Sequence, residues 1–406
     1  MDFVRTVILN SKFNKTIGLN ISLTRLTRMK KLFVILLLLS SFQPLFAQRN
    51  LLPKFVRKML FEKDSSKKGS FVLLPVLSSA PETGLEVGGS ALYSFYTDTL
   101  SPNTRVSNIF AYGTLTTKGQ SRVNLSTNYW SPQNKYHYTG AIGYINFPFD
   151  FYGVGNNTFK SNADRLGQKR VKVSFTGEKK FGNNIYAGIV AGGFDYRFND
   201  AEKTGVFTTD PTIEGRHGGT SLYIGPSLVF DNRNNNTYTT KGMHITSYLN
   251  VIKGLFSNNS YSGGLFNLEY VQFFPLGKRL VLGLDVQEQS LTGSQSPFYL
   301  LPALGSDEMM RGYYNGRFRD RNLLAGQTEL RYRLSDRFGV VGFVGAGQVF
   351  NSNFSLKEMK PNYGGGIRYF FDVEKGLSIR VDYGVGQKRP GESRQSGVYI
   401  GLGEAF

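Results

Sequence analysis

The chain has no cysteine, which excludes disulfides, thiolate metal sites and thiol nucleophiles together. Histidine is almost as scarce. His137, His217 and His244 are widely separated and none has an obvious Asp or Ser partner in the sequence, so acid–base catalysis and imidazole metal ligation lack a constellation to work from. Beyond residue 47 no apolar run reaches the ~20 residues that a membrane-spanning helix needs. Acidic residues are few as well: 29 Asp and Glu stand against 48 Lys and Arg, a formal net charge of +19. Neither a metal site, a cofactor nor a catalytic residue is expected.

One short apolar run does exist, at the N-terminus. Lys30 and Lys31 precede Leu32 to Leu39, and the segment ends at Ala47, the pattern of an export signal. Ser40, Ser41, Gln43 and Pro44 interrupt the run too early for a membrane span. Residues 1–47 are therefore read as an N-terminal extension and signal peptide, with Met29 as the expected true start. Removing them leaves 48 − 7 = 41 basic and 29 − 1 = 28 acidic residues, a charge of +13. An exported basic chain does not routinely meet nucleic acid, so anionic lipid headgroups or anionic solutes are the expected partners. Residues 48–70 form a short basic leader. Leu52, Phe55, Val56, Met59 and Leu60 fall at helical spacing, with Lys54, Arg57, Lys58 and Lys63 largely off that stripe. Such a segment either lies on the inner leaflet or caps a barrel mouth as a helix, or serves only as a charged leader in export.

Gly and aromatics are what the chain has in plenty: 47 Gly, 33 Phe and 23 Tyr, at a mean hydropathy of −0.24. Stretches of about ten residues alternate in polarity, the signature of transmembrane barrel strands. In 325–334, Gln327, Glu329, Arg331 and Arg333 share one parity, while Thr328, Leu330, Tyr332 and Leu334 share the other. Aromatics crowd strand ends, as in Tyr369, Phe370 and Phe371, fitting the interfacial girdles of a barrel. Sixteen such segments run from 71–79 to 395–406, with no linker between them. The connections after even segments are short, as at 131–134 and 335–336, whereas those after odd segments are long, as at 147–167, 197–218 and 291–320. That asymmetry matches short periplasmic turns and long outer loops. The expected fold is all-β: a transmembrane antiparallel β-barrel of about sixteen strands over residues 71–406, with the sixth outer loop folded inward.

Five motifs in order resemble the superfamily of BamA/TamA-like outer-membrane assembly factors and two-partner-secretion transporters, the bacterial surface antigens. Arg311-Gly312-Tyr313 occupies the position of that family's Arg-Gly-Phe/Tyr tip on the sixth outer loop. The stretch from Asp231 through Arg233 to Gly242 resembles its periplasmic turn Asp-x-Arg-Asp…Gly, with Asn234 in place of the second Asp. FVGAGQVF, from Phe343, resembles its Phe-x-Asp-x-Gly strand motif, with Gly345 in place of Asp. GGGIRY, from Gly364, and the closing GVYIGLGEAF resemble its last strands. The short leader and the tight turn Pro81 to Gly84 point to a compact branch of the family without POTRA domains.

The resemblance implies that the loop tip enters the lumen. Arg311 is expected to pair with Glu329 alone, because Gly345 removes the second acid. Tyr313 is expected to pack against lumen residues such as Phe343, with Gly312 permitting close backbone approach. Tyr399, Ile400, Leu402 and Phe406 are read as an assembly signal, an exposed strand edge alternating to the last residue, which periplasmic chaperones and the barrel assembly machinery take up by strand addition. A homo-oligomer is left open. The implied function is outer-membrane biogenesis or translocation of lipid or protein; the alternative is a solute-conducting pore or structural barrel.

Overall fold

In the computed structural model, the structure describes residues 68–80, 84–101, 103–256 and 261–406. The export signal, the leader up to residue 67 and the turn at 81–83 lie outside them.

Among the described residues there are nineteen strands. They are β1 (Ser70–Ala80), β2 (Gly84–Phe95), β3 (Ser107–Thr116), β4 (Ser121–Trp130), β5 (Tyr136–Asn146), β6 (Phe149–Phe151), β7 (Asp164–Phe181), β8 (Ile185–Asp200), β9 (Gly218–Asp231) and β10 (Gly242–Leu255). Then follow β11 (Ser262–Pro275), β12 (Leu280–Leu291), β13 (Ala303–Leu304), β14 (Phe318–Arg319), β15 (Asn322–Arg333), β16 (Phe338–Phe350), β17 (Lys360–Asp372), β18 (Leu377–Val385) and β19 (Ser396–Leu402). Sixteen are long and pair antiparallel with their sequence neighbours from β1 to β19, skipping β6, β13 and β14. The short β6 extends the β5 side of β7, and β13 with β14 forms a small hairpin within the long connection 292–321. Among the described residues no ladder joins β1 to β19.

The alternation seen in the sequence sets the two faces of this sheet. On β15, Gln327, Glu329 and Arg331 are buried, whereas Leu330 and Tyr332 are 45% and 43% exposed. The same split places Glu178 inside β7 while Val171, Val173 and Phe175 point outward, and Asp382 inside β18 while Tyr383 points outward. An exposed apolar face backed by a buried charged face is the inverse of a soluble protein, and it suits a wall between lipid and a polar lumen. Apolar packing is confined to the two ends of the lumen. At the long-loop end Phe151, Leu166, Phe207, Ile213 and Phe298 form one cluster, and Leu304, Met309, Met310, Tyr313 and Phe318 another.

One strand departs from its expected course. β19 ends at Leu402, Gly403 has a φ of +80°, and the last residues turn into the lumen. Ala405 is buried, and Phe406 stacks 6.0 Å from Phe273 with the Arg331 guanidinium 4.6 Å from its ring. The edge read as alternating to the final residue is thus corrected. Glu404 is drawn inward to Arg368 at 2.7 Å, and Arg331 donates to the Phe406 carbonyl at 2.8 Å. Two buried arginines outweigh continued pairing of a terminal strand.

Candidate functional site

Loop six, residues 292–321, descends into the lumen, and its tip carries Arg311, which is fully buried. Its guanidinium donates to Asp382 on β18 at 2.5 Å and to Glu329 on β15, and lies 3.7 Å from the Phe343 ring centroid. Three strand spacings of ~4.8 Å separate β15 from β18, ~14 Å in a flat sheet. Only inward curvature brings both carboxylates to one planar fork. The expectation of a single acid partner is therefore corrected: Asp382 supplies the second carboxylate. Phe343 packs under Arg311 rather than beside Tyr313.

Gly345 shows why the second acid moved. A Cβ there would stand 2.6 Å from Asn362 Oδ1 and 2.8 Å from Gln327 Cβ, so Asn362 fills the space that a longer side chain would need. Asn362 is fully buried, and its Nδ2 donates to the Arg311 carbonyl at 2.9 Å. Gly312 has a φ of +108°, and a Cβ would meet the Val385 backbone at 2.7 Å, so both conformation and space demand glycine. Its N–H donates to the Tyr399 hydroxyl at 2.8 Å. Tyr313 donates to the Pro361 carbonyl at 2.6 Å and accepts from the Gln387 N–H at 2.9 Å, and burial pushes its hydroxyl up to about 12.

These contacts belong to a larger charge ladder. Arg331 donates to Glu329 at 2.9 Å, and Arg368 donates to Asp382 at 2.5 Å and to Glu404 at 2.7 Å. Arg380 reaches Asp307 in loop six at 2.7 Å. Within this ladder Arg311, Arg331, Arg368 and Arg380 each meet a carboxylate, and Glu329, Asp382 and Glu404 each meet at least one arginine, the condition under which burying such charges is tolerable. Further out, Arg317 pairs with Glu392 at 2.5 Å, tying loop six to the connection between β18 and β19.

The other motif residues gather at the short-turn end. Asp231 accepts from the Arg233 N–H at 3.1 Å and from its guanidinium at 3.0 and 2.8 Å, and also binds Arg105. Gly242 has a φ of +101°, and a Cβ would stand 2.5 Å from the Asn232 carbonyl. Asn234 accepts from the Thr240 and Lys241 N–H groups at 3.1 Å each and donates to the Thr240 hydroxyl at 2.8 Å. An ionised Asp there could not donate. The turn then crosses the mouth: Asn236 Nδ2 donates to the Val106 carbonyl at 3.0 Å, Thr237 binds the Lys375 carbonyl, and Tyr238 packs edge-on to Phe370 at 5.0 Å. It thereby contacts turns on both flanks of the β1 and β19 edges.

Of the assembly-signal residues, Tyr399 faces the lumen and holds the loop tip, whereas Ile400 is 67% exposed on the outer face. Leu402 closes β19, and Phe406 is turned inward. The histidine reading also needs correction, because His137 does have an acid beside it. Its Nδ1 lies 2.8 Å from Glu178, which in turn binds the Ser227 hydroxyl. The order is Ser–Glu–His, so the hydroxyl meets the acid and not the imidazole. His137 Nε2 faces Asn128 and its ring stacks on Trp130 at 3.8 Å, leaving no base to activate a nucleophile. Among the described residues no group of three or more His, Asp or Glu is placed to hold a metal ion.

No curated protein sequence matches the chain. Solved structures do. BamA from Haemophilus ducreyi lacking POTRA domains 1–3 superposes with a TM-score of 0.52 at 14% identity, over 83% of this chain and 70% of that one. CdiB from Acinetobacter baumannii gives 0.50 at 10% identity, over 83% and 60%, and CdiB from Escherichia coli gives 0.51 at 10%, over 82% and 62%. The chain thus spans less than two thirds of either CdiB, and at such identities the likeness concerns the fold. The family model of the Omp85 superfamily domain matches residues 105–406, from just before β3 to the last residue. With that match over most of its length, the chain belongs to the Omp85 superfamily, whose barrels reside in the bacterial outer membrane.

Proposed function

We propose that this chain is exported to the outer membrane and works there in membrane biogenesis, inserting or translocating lipid or protein, and that it is not an enzyme. One observation carries the reading: the loop-six tip is bonded at once to β15, to β18 and to Tyr399 on β19. A last strand latched to a loop inside the lumen can be released when that loop moves, which a rigid solute pore has no need of. The structural neighbours BamA and CdiB favour the same reading through the fold they share with the chain. Outer-membrane lipids would surround the barrel, and periplasmic chaperones and the assembly machinery would handle it during its own biogenesis. Against catalysis stands the order of the His137 cluster, in which the hydroxyl faces the acid, and the placement of the Thr246 hydroxyl and Asp231 at the same nitrogen of His244, so that no acid orients that imidazole from its other side.

A second reading, a solute pore, draws on a cavity of about 440 Å³ left in the lumen beside β7 to β10. Depletion of the chain distinguishes the two. A biogenesis factor lowers the content of other barrels or shifts the lipid asymmetry of the outer membrane. Unchanged outer-membrane protein and lipid, with slower solute uptake alone, would instead make it a pore.

A further inference from the structure

The arginines facing the lumen from β15 to β18 are neutralised, but the opposite wall is different. On β7, Val171 and Val173 are 41% and 46% exposed on the outer face, so Lys172 between them points inward, as does Arg170. Among the described residues neither forms an ion pair; Arg170 has only the Tyr196 ring, 5.7 Å away. Glu178, the acid on the same face, is six residues along, ~20 Å, and is taken by His137. Lys172 is itself exposed to the lumen, so its unpaired ammonium stands open to an arriving anion.

The cavity that Lys172 lines holds two further unmet groups. Asn250 is only 5% exposed and its Oδ1 has no donor, and the Tyr299 hydroxyl is buried without a partner. Around them stand ring faces: Tyr299 stacks on Tyr196 at 4.7 Å, and Phe194 lies 6.2 Å from Tyr223, whose side chain crosses the bare backbone of Gly192. A volume of about 440 Å³ falls within the range of small-molecule sites.

We propose that this cavity is a binding site for a small anionic sugar, with Lys172 taking the phosphate or carboxylate, Asn250 and Tyr299 the hydroxyls, and the aromatic rings the apolar face of the sugar. The chemistry follows by elimination. A neutral sugar leaves Lys172 unused, and a bare inorganic anion leaves Asn250 and Tyr299 unmet and the rings unused. The cavity is lined from the lumen side of β5 and β7 to β11, with Tyr299 and Leu300 of loop six beside it, and not from the lipid-facing surface, which favours a free sugar over a lipid headgroup. The site does not depend on the biogenesis reading and would stand beside a pore as well.

The test is calorimetric titration of the full chain in detergent micelles with glucose 6-phosphate, glucose and inorganic phosphate. Glucose 6-phosphate should bind saturably, about tenfold or more tighter than either fragment. Lys172→Gln should weaken it by about tenfold or more, the loss expected of one charged hydrogen bond, and Lys172→Arg should largely preserve it. Lys169→Gln, on the outer face of β7, should leave it unchanged, and a heat-modifiable band on gels controls for folding. Absence of saturable binding, equal binding of inorganic phosphate, or full binding by a folded Lys172→Gln variant would each overturn the proposal. Displacement by lipid A in mixed micelles would overturn the assignment to a free sugar.

Discussion

Arg311→Ala is the perturbation whose size the structure fixes best. The change deletes two charge-assisted hydrogen bonds, each worth ~1.5–3 kcal/mol, and the contact over Phe343. It leaves no orphan, because Glu329 keeps Arg331 and Asp382 keeps Arg368. The cost should therefore be roughly 3–6 kcal/mol from the two bonds alone, without the added penalty of an uncompensated buried charge. Glu329→Gln should cost less, ~1.5–3 kcal/mol, since the amide keeps an acceptor oxygen while Arg311 retains Asp382 and Arg331 retains Glu404 at 3.9 Å. In the double variant the Arg311–Glu329 bond is counted once, so its cost should fall below the sum by up to ~3 kcal/mol. Arg311→Lys separates charge from shape: one ammonium cannot fork between carboxylates three strands apart, so it should resemble Arg311→Ala more than the parent. The readout is the rate of protease cleavage in loop six on intact cells, where 3 kcal/mol corresponds to about a hundredfold more opening. Additive costs, or a Lys variant as protected as the parent, would refute the bridged guanidinium.

Leu330→Arg puts a charge on the lipid face of β15 and should cost ~2–4 kcal/mol near the midplane, whereas Leu330→Ile should fold normally; equal folded yields on heat-modifiability gels would reverse the facing assignment. Tyr238→Ala removes the edge-on contact with Phe370 across the short-turn mouth, worth ~0.5–1.5 kcal/mol beyond area, and should raise the frequency of brief channel openings; unchanged openings would mean that the turn does not close the mouth. Burial raises the Glu392 carboxyl, but its bond to Arg317 outweighs that and holds it below the usual carboxylate range. A depressed folded pKa stabilises above the unfolded value and loses that stabilisation as pH falls through the folded one, so pepsin should reach residues 386–395 only below about pH 4. Cleavage already rising between pH 6 and 5 would point to another group.

Much of the fold was legible because a barrel strand carries its own instructions. Alternation of Gln327, Glu329 and Arg331 against Leu330 and Tyr332 assigns both faces, and a parity of two leaves no room for slippage. Turn lengths separate a short-turn end from a long-loop end in the same local way. The site was legible only as far as the Arg-Gly-Tyr tip. Asp382 stood in the pattern as one more inward polar residue, and nothing local marks it as the partner of an arginine 71 positions earlier. That meeting depends on barrel curvature, as does the use of Asn362 in the space beside Gly345. Tyr399 was noticed for the wrong reason, since its strand parity reveals which face it occupies but not that a loop tip waits there. The inward turn after Leu402 had a trace in Gly403 and Glu404, an acid at the end of an apolar strand, which becomes meaningful only once Arg331 and Arg368 are placed.

Single-channel recording of the purified full chain in planar bilayers tests the central claim most directly, comparing the parent with Arg311→Ala. A lumen filled by a latched loop predicts small, flickering openings in the parent and markedly larger or longer ones when the latch is cut. Large, steady, solute-sized conductance in the parent, unchanged by Arg311→Ala, would contradict the account and make the chain a pore.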